Sequence, residues 1–124
     1  MRILITGASG FIGTNLLEYF IDKGYKVFNI DKEKPKNPDY EKYWTNVDIR
    51  NFKDLEGAVS KIKPNYLIHL AAPTDLNEKD GLEYYNTNTL GVENVVKILL
   101  DDPGIKRSIF ASTMLVNQVG YKPT

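Results

Sequence analysis

The opening of the chain leaves little freedom in how it folds. Ile3-Leu4-Ile5 is an apolar run that enters Thr6-Gly7-Ala8-Ser9-Gly10-Phe11-Ile12-Gly13, and apolar residues then recur at helical spacing without a break. Strand, glycine turn and helix in that order predict a parallel-sheet unit whose first crossover starts at the turn. Gly7 can take the positive φ of a sharp turn. Gly10 has no Cβ to hold a ligand off the backbone, and Gly13 lets the helix lie close to the strand. The free N–H groups and positive end of that helix then suit the pyrophosphate of a dinucleotide.

The same alternation of patterns continues along the chain. Arg2–Thr6 reads as a buried strand, and Ile12, Leu16, Leu17, Phe20 and Ile21 mark a helix over 11–23 that Gly24 stops. Lys26–Ile30 reads as a second strand closed by Asp31. The stretch from Lys32 to Lys42, with Pro35, Pro38 and seven charged residues, is expected to be a solvated loop. Tyr43–Val47 reads as a short third strand. A helix over 51–63, capped by Asn51, presents Phe52, Leu55, Val59 and Ile62 on one face. Pro64-Asn65 precedes a fourth strand over 66–70, then come a longer helix over 80–100 and a fifth strand over 106–112. Right-handed crossovers arrange these as an α/β fold, a Rossmann-type doubly wound parallel sheet of order 3-2-1-4-5 with helices on both faces. Such a sheet ordinarily has a sixth strand, and the pattern offers none over 113–124. The sequence is therefore expected to be truncated after strand five, leaving an apolar, proline-free edge open to self-association.

Composition bounds the rest. One domain, 1–124, is large enough to bury a core at 42% hydrophobic and 26% charged residues. Sixteen Lys and Arg balance sixteen Asp and Glu, so no global field favours nucleic acid or an anionic membrane. The absence of cysteine excludes disulfides and thiolate chemistry and fits a reducing cytoplasm. No apolar run approaches the roughly 20 residues of a membrane span, and the N-terminus has no signal-peptide pattern. No metal site is expected. The single histidine, His69, falls inside a strand pattern and reads as a hydrogen-bonded core residue rather than a base.

Several positions carry candidate chemistry. Asp31, at the end of strand two, can accept hydrogen bonds from adenosine ribose hydroxyls and would repel a 2′-phosphate, favouring NAD over NADP. Lys32 and Lys34 could soften that preference, and a strand-capping role is the alternative. Asp48 can accept from the exocyclic amine of adenine with Ile49 as an apolar wall; a place at the start of the second helix is equally open to Asp48. Leu70-Ala71-Ala72 offers small side chains against which a flat ligand can lie, or plain packing. Asn88 sits mid-helix, where a buried amide must find partners. Gly91, one turn on, implies close packing against the sheet, since glycine costs a helix about 1 kcal/mol relative to alanine. Glu83, Asn86, Thr87 and Asn94 are assigned to solvent. Ser112 and Thr113 could hydrogen-bond a substrate oxygen.

Together, Thr6-Gly7-x-x-Gly10-x-x-Gly13, Asp31, Asp48-Ile49, His69-Leu70-Ala71-Ala72, Asn88-Thr89-Leu90-Gly91-Val92-Glu93-Asn94 and Ser112-Thr113 resemble the extended short-chain dehydrogenase/reductase family. The nearest branch is the NAD-dependent epimerase/dehydratase group that acts on nucleotide sugars. The resemblance implies that Thr6 to Gly13, including Ser9, Phe11 and Ile12, form the pyrophosphate loop. It implies that Asp31 holds the ribose, Asp48 and Ile49 border adenine, and Leu70, Ala71 and Ala72 run under the cofactor. Asn88 would order the nicotinamide side. Thr113, or Ser112, would hydrogen-bond the reacting sugar oxygen as the catalytic hydroxyl, although Val116-Asn117-Gln118 departs from the family's Val-Tyr-Gly. The family's basic tyrosine, in a Tyr-x-x-x-Lys helix, and its substrate domain have no counterpart here; Tyr19 to Lys23 matches the string only by coincidence. The implied function is the NAD-binding part of a nucleotide-sugar epimerase or dehydratase that transiently oxidises a sugar hydroxyl, inactive by itself and homodimeric in the whole enzyme. A non-catalytic NAD-sensing module and an NAD(P)H-dependent reductase of the same superfamily are the alternatives.

Overall fold

Side chains on the central strand β1 (Arg2–Thr6) alternate between two apolar cores, one on each face of the sheet. The computed structural model describes residues 1–71 and 81–111, without the side chains of 81–88. β1 pairs in parallel with β2 (Lys26–Asp31) on one side and β4 (Tyr66–His69) on the other. β3 (Trp44–Asn46) and β5 (Arg107–Phe110) complete the order β3-β2-β1-β4-β5, the order expected of the doubly wound sheet.

Leu4, Ile30 and Leu67 point to the face covered by α2 (Phe52–Ile62) and α3 (Gly81–Asp101), where Leu55, Val59, Val95 and Ile98 meet them. Ile3, Ile5 and Val27 point to the opposite face, against Leu17 of α1 (Phe11–Asp22). The chain winds outward from β1 through β2 to β3, then returns across the sheet to β4, so right-handed crossovers put α1 and the later helices on opposite faces. Each fully buried Leu or Ile contributes about 1.5–3 kcal/mol of transfer free energy, which holds both layers to the sheet.

The helix ends differ in a way that matters for the site. Asn51 caps α2 as expected, its side chain accepting the Asp54 N–H at 3.1 Å. α1 starts at Gly10 with no side-chain cap and no acidic residue in its first turn.

The segment after β2 is more ordered than its charges suggest. Instead of a solvated loop over 32–42, Pro38–Tyr43 forms a 3₁₀ helix. Asn37 accepts the Asp39 N–H at 3.0 Å, and Pro38 supplies the φ of a helix start. Tyr40 and Tyr43 turn onto the α1-side core, and the Tyr40 hydroxyl donates to Glu18 at 2.7 Å. The third strand is shorter than the apolar pattern implied, with 44–46 paired, and among the described residues the fifth is paired over 107–110. No helix among the described residues is long and apolar enough to cross a membrane.

Candidate functional site

All strands run parallel, so the loops after β1, β2, β3 and β4 meet at one edge, and the sheet's winding reverses between β1 and β4. A crevice at such a switch point is where open α/β sheets bind ligands.

The glycine turn is built from three close approaches. Gly7 has φ +82°, and a Cβ there would lie 2.7 Å from the Ala71 nitrogen, so only glycine lets β1 turn beside the end of β4. A Cβ on Gly13 would collide with the Ala8 Cα and lie 2.5 Å from the Gly7 carbonyl oxygen, so glycine there seats α1 on the turn. Gly10 is different. Its φ is −81°, and a Cβ would meet only the Gly7 oxygen, at an ordinary 3.5 Å. The chain's own packing gives no reason for glycine at this position. An approaching ligand would.

Three consecutive N–H groups of the turn are held by β2. Gly7 donates to the Ile30 carbonyl at 2.9 Å, Ala8 to Asn29 Oδ1 at 3.0 Å, and Ser9 to Asp31 Oδ2 at 3.0 Å. Gly10 donates back to the Gly7 carbonyl at 3.2 Å. What the turn leaves for an external anion is the first turn of α1, the N–H groups of Phe11, Ile12 and Gly13 at the positive helix end. Phe11 and Ile12 expose their side chains, at 86% and 64%. Ser9 itself is engaged throughout: its hydroxyl donates to the Glu33 carbonyl at 2.8 Å and accepts from Asn29 Nδ2 at 3.1 Å.

Asp31 sits at the end of β2 beside the turn. Its second carboxylate oxygen accepts the Glu33 N–H at 2.9 Å. Each oxygen thus takes one main-chain donor and keeps a lone pair for a further hydroxyl.

Asp48 and Ile49 lie in the loop between β3 and α2. The Asp48 carboxylate takes the Arg50 guanidinium at 2.7 Å and the Arg50 N–H at 2.9 Å, and this hydrogen bonding holds its carboxyl below the usual range. The cap of α2 is Asn51, so Asp48 is not the helix-start residue that was the alternative. The Ile49 side chain is buried in the core, against Gly91 of α3, where a Cβ would run into its Cδ1. Ile49 therefore faces the core, and Gly91 packs on this loop rather than on the sheet. Asn94, assigned to solvent, is 2% exposed. Its amide donates to the carbonyls of Ile49 at 2.8 Å and Arg50 at 3.1 Å. A partner 45 residues away, rather than helix propensity, decides where Asn94 points.

At the end of β4, Leu70 and Ala71 fold toward β1: both donate their N–H to Thr6 Oγ1, at 3.1 and 3.2 Å. With both lone pairs of that hydroxyl occupied, its proton goes to His69 Nδ1, 2.7 Å away. His69 is thus a buried neutral ring with its proton on Nε2, and burial pushes its pKa down to about 4. This agrees with a core role. Ala72, Ser112 and Thr113 lie outside the described residues. Asn88 belongs to α3, but its side chain is also outside them. No group of three or more metal-ligating side chains exists among the described residues.

Two contributors were missed in the sequence, Asn29 and Asn94. Asn29 stands two residues before Asp31, hence on the same face of β2. Asn94 lies on α3 one turn beyond Gly91. Those spacings were the available signals.

Comparison with known proteins agrees with this geometry. The NAD-dependent epimerase/dehydratase family matches residues 3–121. A GDP-6-deoxy-D-talose 4-dehydrogenase of Aggregatibacter actinomycetemcomitans is 32% identical over 102 residues, covering 82% of this chain and 31% of that protein. The Thermus thermophilus UDP-glucose 4-epimerase, solved in complex with NAD, superposes with a TM-score of 0.81 at 27% identity, over 91% of this chain and 38% of the other. The Bordetella bronchiseptica enzyme WbmG, also solved with NAD, gives a TM-score of 0.81 at 32% identity, over 93% and 38%. The chain spans about a third of the length of the curated relatives it matches. The match to nearly every residue, on a sheet of the expected order, means that the chain belongs to the NAD-dependent epimerase/dehydratase family.

Proposed function

We propose that this chain is the NAD-binding portion of an enzyme that transiently oxidises a hydroxyl of a nucleotide sugar. The observation that carries the reading is the uncapped first turn of α1, with the N–H groups of residues 7–9 engaged by β2 and no close packing against Gly10. Residues 11–13 would hold the diphosphate. Asp31 would accept the ribose hydroxyls, and its charge would disfavour a 2′-phosphate. Asp48 and the Ile49 backbone would border adenine, while Leu70, Ala71 and Ala72 would support the rest of the cofactor. Asn88 would order the nicotinamide side, and Thr113 or Ser112 would hydrogen-bond the reacting sugar oxygen. The chemistry supplied with bound NAD is acceptance of hydride from a sugar carbinol carbon, leaving a ketone.

Nucleotide-sugar enzymes among the similar proteins support the substrate class. Residues 1–124 by themselves are proposed to turn over nothing. Their single Tyr-x-x-x-Lys string, Tyr19 to Lys23, closes the end of α1 remote from the glycine turn. A cytoplasmic location and self-association along β5 complete the proposal; all four β5 residues are exposed, Ile109 at 56%. Monodisperse monomer in light scattering at high concentration would overturn the association.

The test of the cofactor reading is a pair of melting curves, one with NAD and one with NADP. NAD at 100 times its dissociation constant should add about 2.7 kcal/mol to stability, with a smaller gain from NADP. No shift with NAD would overturn the proposal.

A further inference from the structure

Asn29 is 0% exposed, in the middle of a parallel strand with neighbours on both sides. An uncharged amide at such a site is costly unless all its groups are bonded, and a β-branched residue would suit the strand better. Here the amide is used at both ends. Oδ1 accepts the Ala8 N–H at 3.0 Å, and Nδ2 donates to Ser9 Oγ at 3.1 Å. Ser9 Oγ passes the chain on to the Glu33 carbonyl at 2.8 Å. Glu33 N–H and Ser9 N–H close on the two oxygens of Asp31, at 2.9 and 3.0 Å. No buried polar side-chain atom among the described residues lacks a partner, so every side-chain atom of this network has at least one.

The network follows from strand periodicity. Asn29 and Asp31 project from the same face of β2, two residues apart, and meet the N–H groups of Ala8 and Ser9 in succession. A buried hydrogen-bonded network rigidifies what it joins. What it joins here is the turn that leads into the first turn of α1 and the carboxylate at the end of β2.

Accepting the NAD reading above, we propose that Asn29 is a positioning residue for the cofactor: through Ala8 and Ser9 it presets the glycine turn, and through Ser9 it couples the turn to Asp31, so that the diphosphate and ribose sites form one unit. Binding then requires no ordering of the turn, and the saved conformational cost appears as affinity.

The test measures NAD dissociation constants calorimetrically for wild type, Asn29→Val, Ser9→Ala and the double variant, well below each variant's melting temperature. Asn29→Val keeps a strand-compatible side chain of similar size, and Ser9→Ala leaves the strand untouched if the first variant folds poorly. Each single change should weaken NAD about tenfold, equivalent to about 1.4 kcal/mol. The double variant should lose less than the product of the two single losses, because both changes cut the Asn29–Ser9 bond, while the Ala8 and Glu33 bonds are each lost in only one of them. A role confined to fold stability would lower melting temperatures and leave the dissociation constants alone, which would overturn the inference. Additive losses in the double variant would overturn the coupling through Ser9. Wild-type protein that bound no NAD would overturn the cofactor reading as well.

Discussion

The Asn94 side chain reaches from α3 to the Ile49 main-chain carbonyl at 2.8 Å and to the neighbouring Arg50 carbonyl at 3.1 Å. One buried amide thus ties the loop after β3 to a helix on the far side of the crossover. Asn94→Ala leaves two carbonyls in the interior without a donor and should cost about 1–3 kcal/mol in denaturant unfolding. Asn94→Asp should cost more at neutral pH, since a carboxylate would face two carbonyl oxygens. Equal stability of the two variants would show that the amide's donor role is unimportant.

Gly10 and Gly7 should separate function from folding. Gly10→Val places its Cβ in ordinary contact with the Gly7 oxygen, so unfolding free energy should change by less than about 1 kcal/mol. NAD affinity should nevertheless fall at least tenfold. Gly7→Ala combines a φ of +82° with a Cβ 2.7 Å from the Ala71 nitrogen, and should destabilise the fold by about 1–3 kcal/mol or more. Paired melting and binding measurements read both effects.

His69 predicts a pH dependence of known sign. Its pKa falls from 6.5 to about 4 in the fold, through burial. Between those values the unfolded chain binds more protons than the folded one, so stability is full above about pH 6.5 and declines as pH falls toward 4. The loss over that window is about 3 kcal/mol. Protonation also turns Nδ1 from acceptor to donor opposite a Thr6 hydroxyl that already accepts twice. His69→Asn should flatten the profile between pH 6.5 and 4; an unchanged slope would assign the dependence to other groups. The Asp48–Arg50 pair acts lower, its contribution disappearing only as pH drops below the ordinary aspartate value of 3.8.

Asp31→Ala tests whether cofactor choice can be exchanged at one residue. The change removes a charge that would repel a 2′-phosphate, but it also strips acceptors from the Ser9 and Glu33 N–H groups. NAD affinity should drop more than tenfold with no compensating gain for NADP. Tight NADP binding by this variant would show that the turn holds its shape without Asp31.

Much of the fold was legible because its signals are local. Ile3-Leu4-Ile5 running into three glycines states strand, turn and helix within a few residues, and Asn51 before an amphipathic run states a cap. The charged stretch over 32–42 misled because Tyr40 and Tyr43 belong to a short 3₁₀ helix whose apolar side shows only against α1. Asn29 attracts no role in the sequence and Asn94 reads as solvent-facing, for one reason. A polar residue in a strand or helix reads as exposed or neutral until its distant partner is known.

Sequence by itself determined the parallel architecture, the glycine turn and the candidate acidic partner at Asp31, because glycine conformation and hydrophobic period act over a few neighbouring residues. Only the tertiary structure decided that Gly10 has room for a Cβ, that Ile49 faces the core, and that Asn29 and Asn94 brace the loops around the crevice. Those assignments depend on which backbone groups the crossovers bring within about 3 Å of a buried amide, a relation between distant segments that no local pattern encodes.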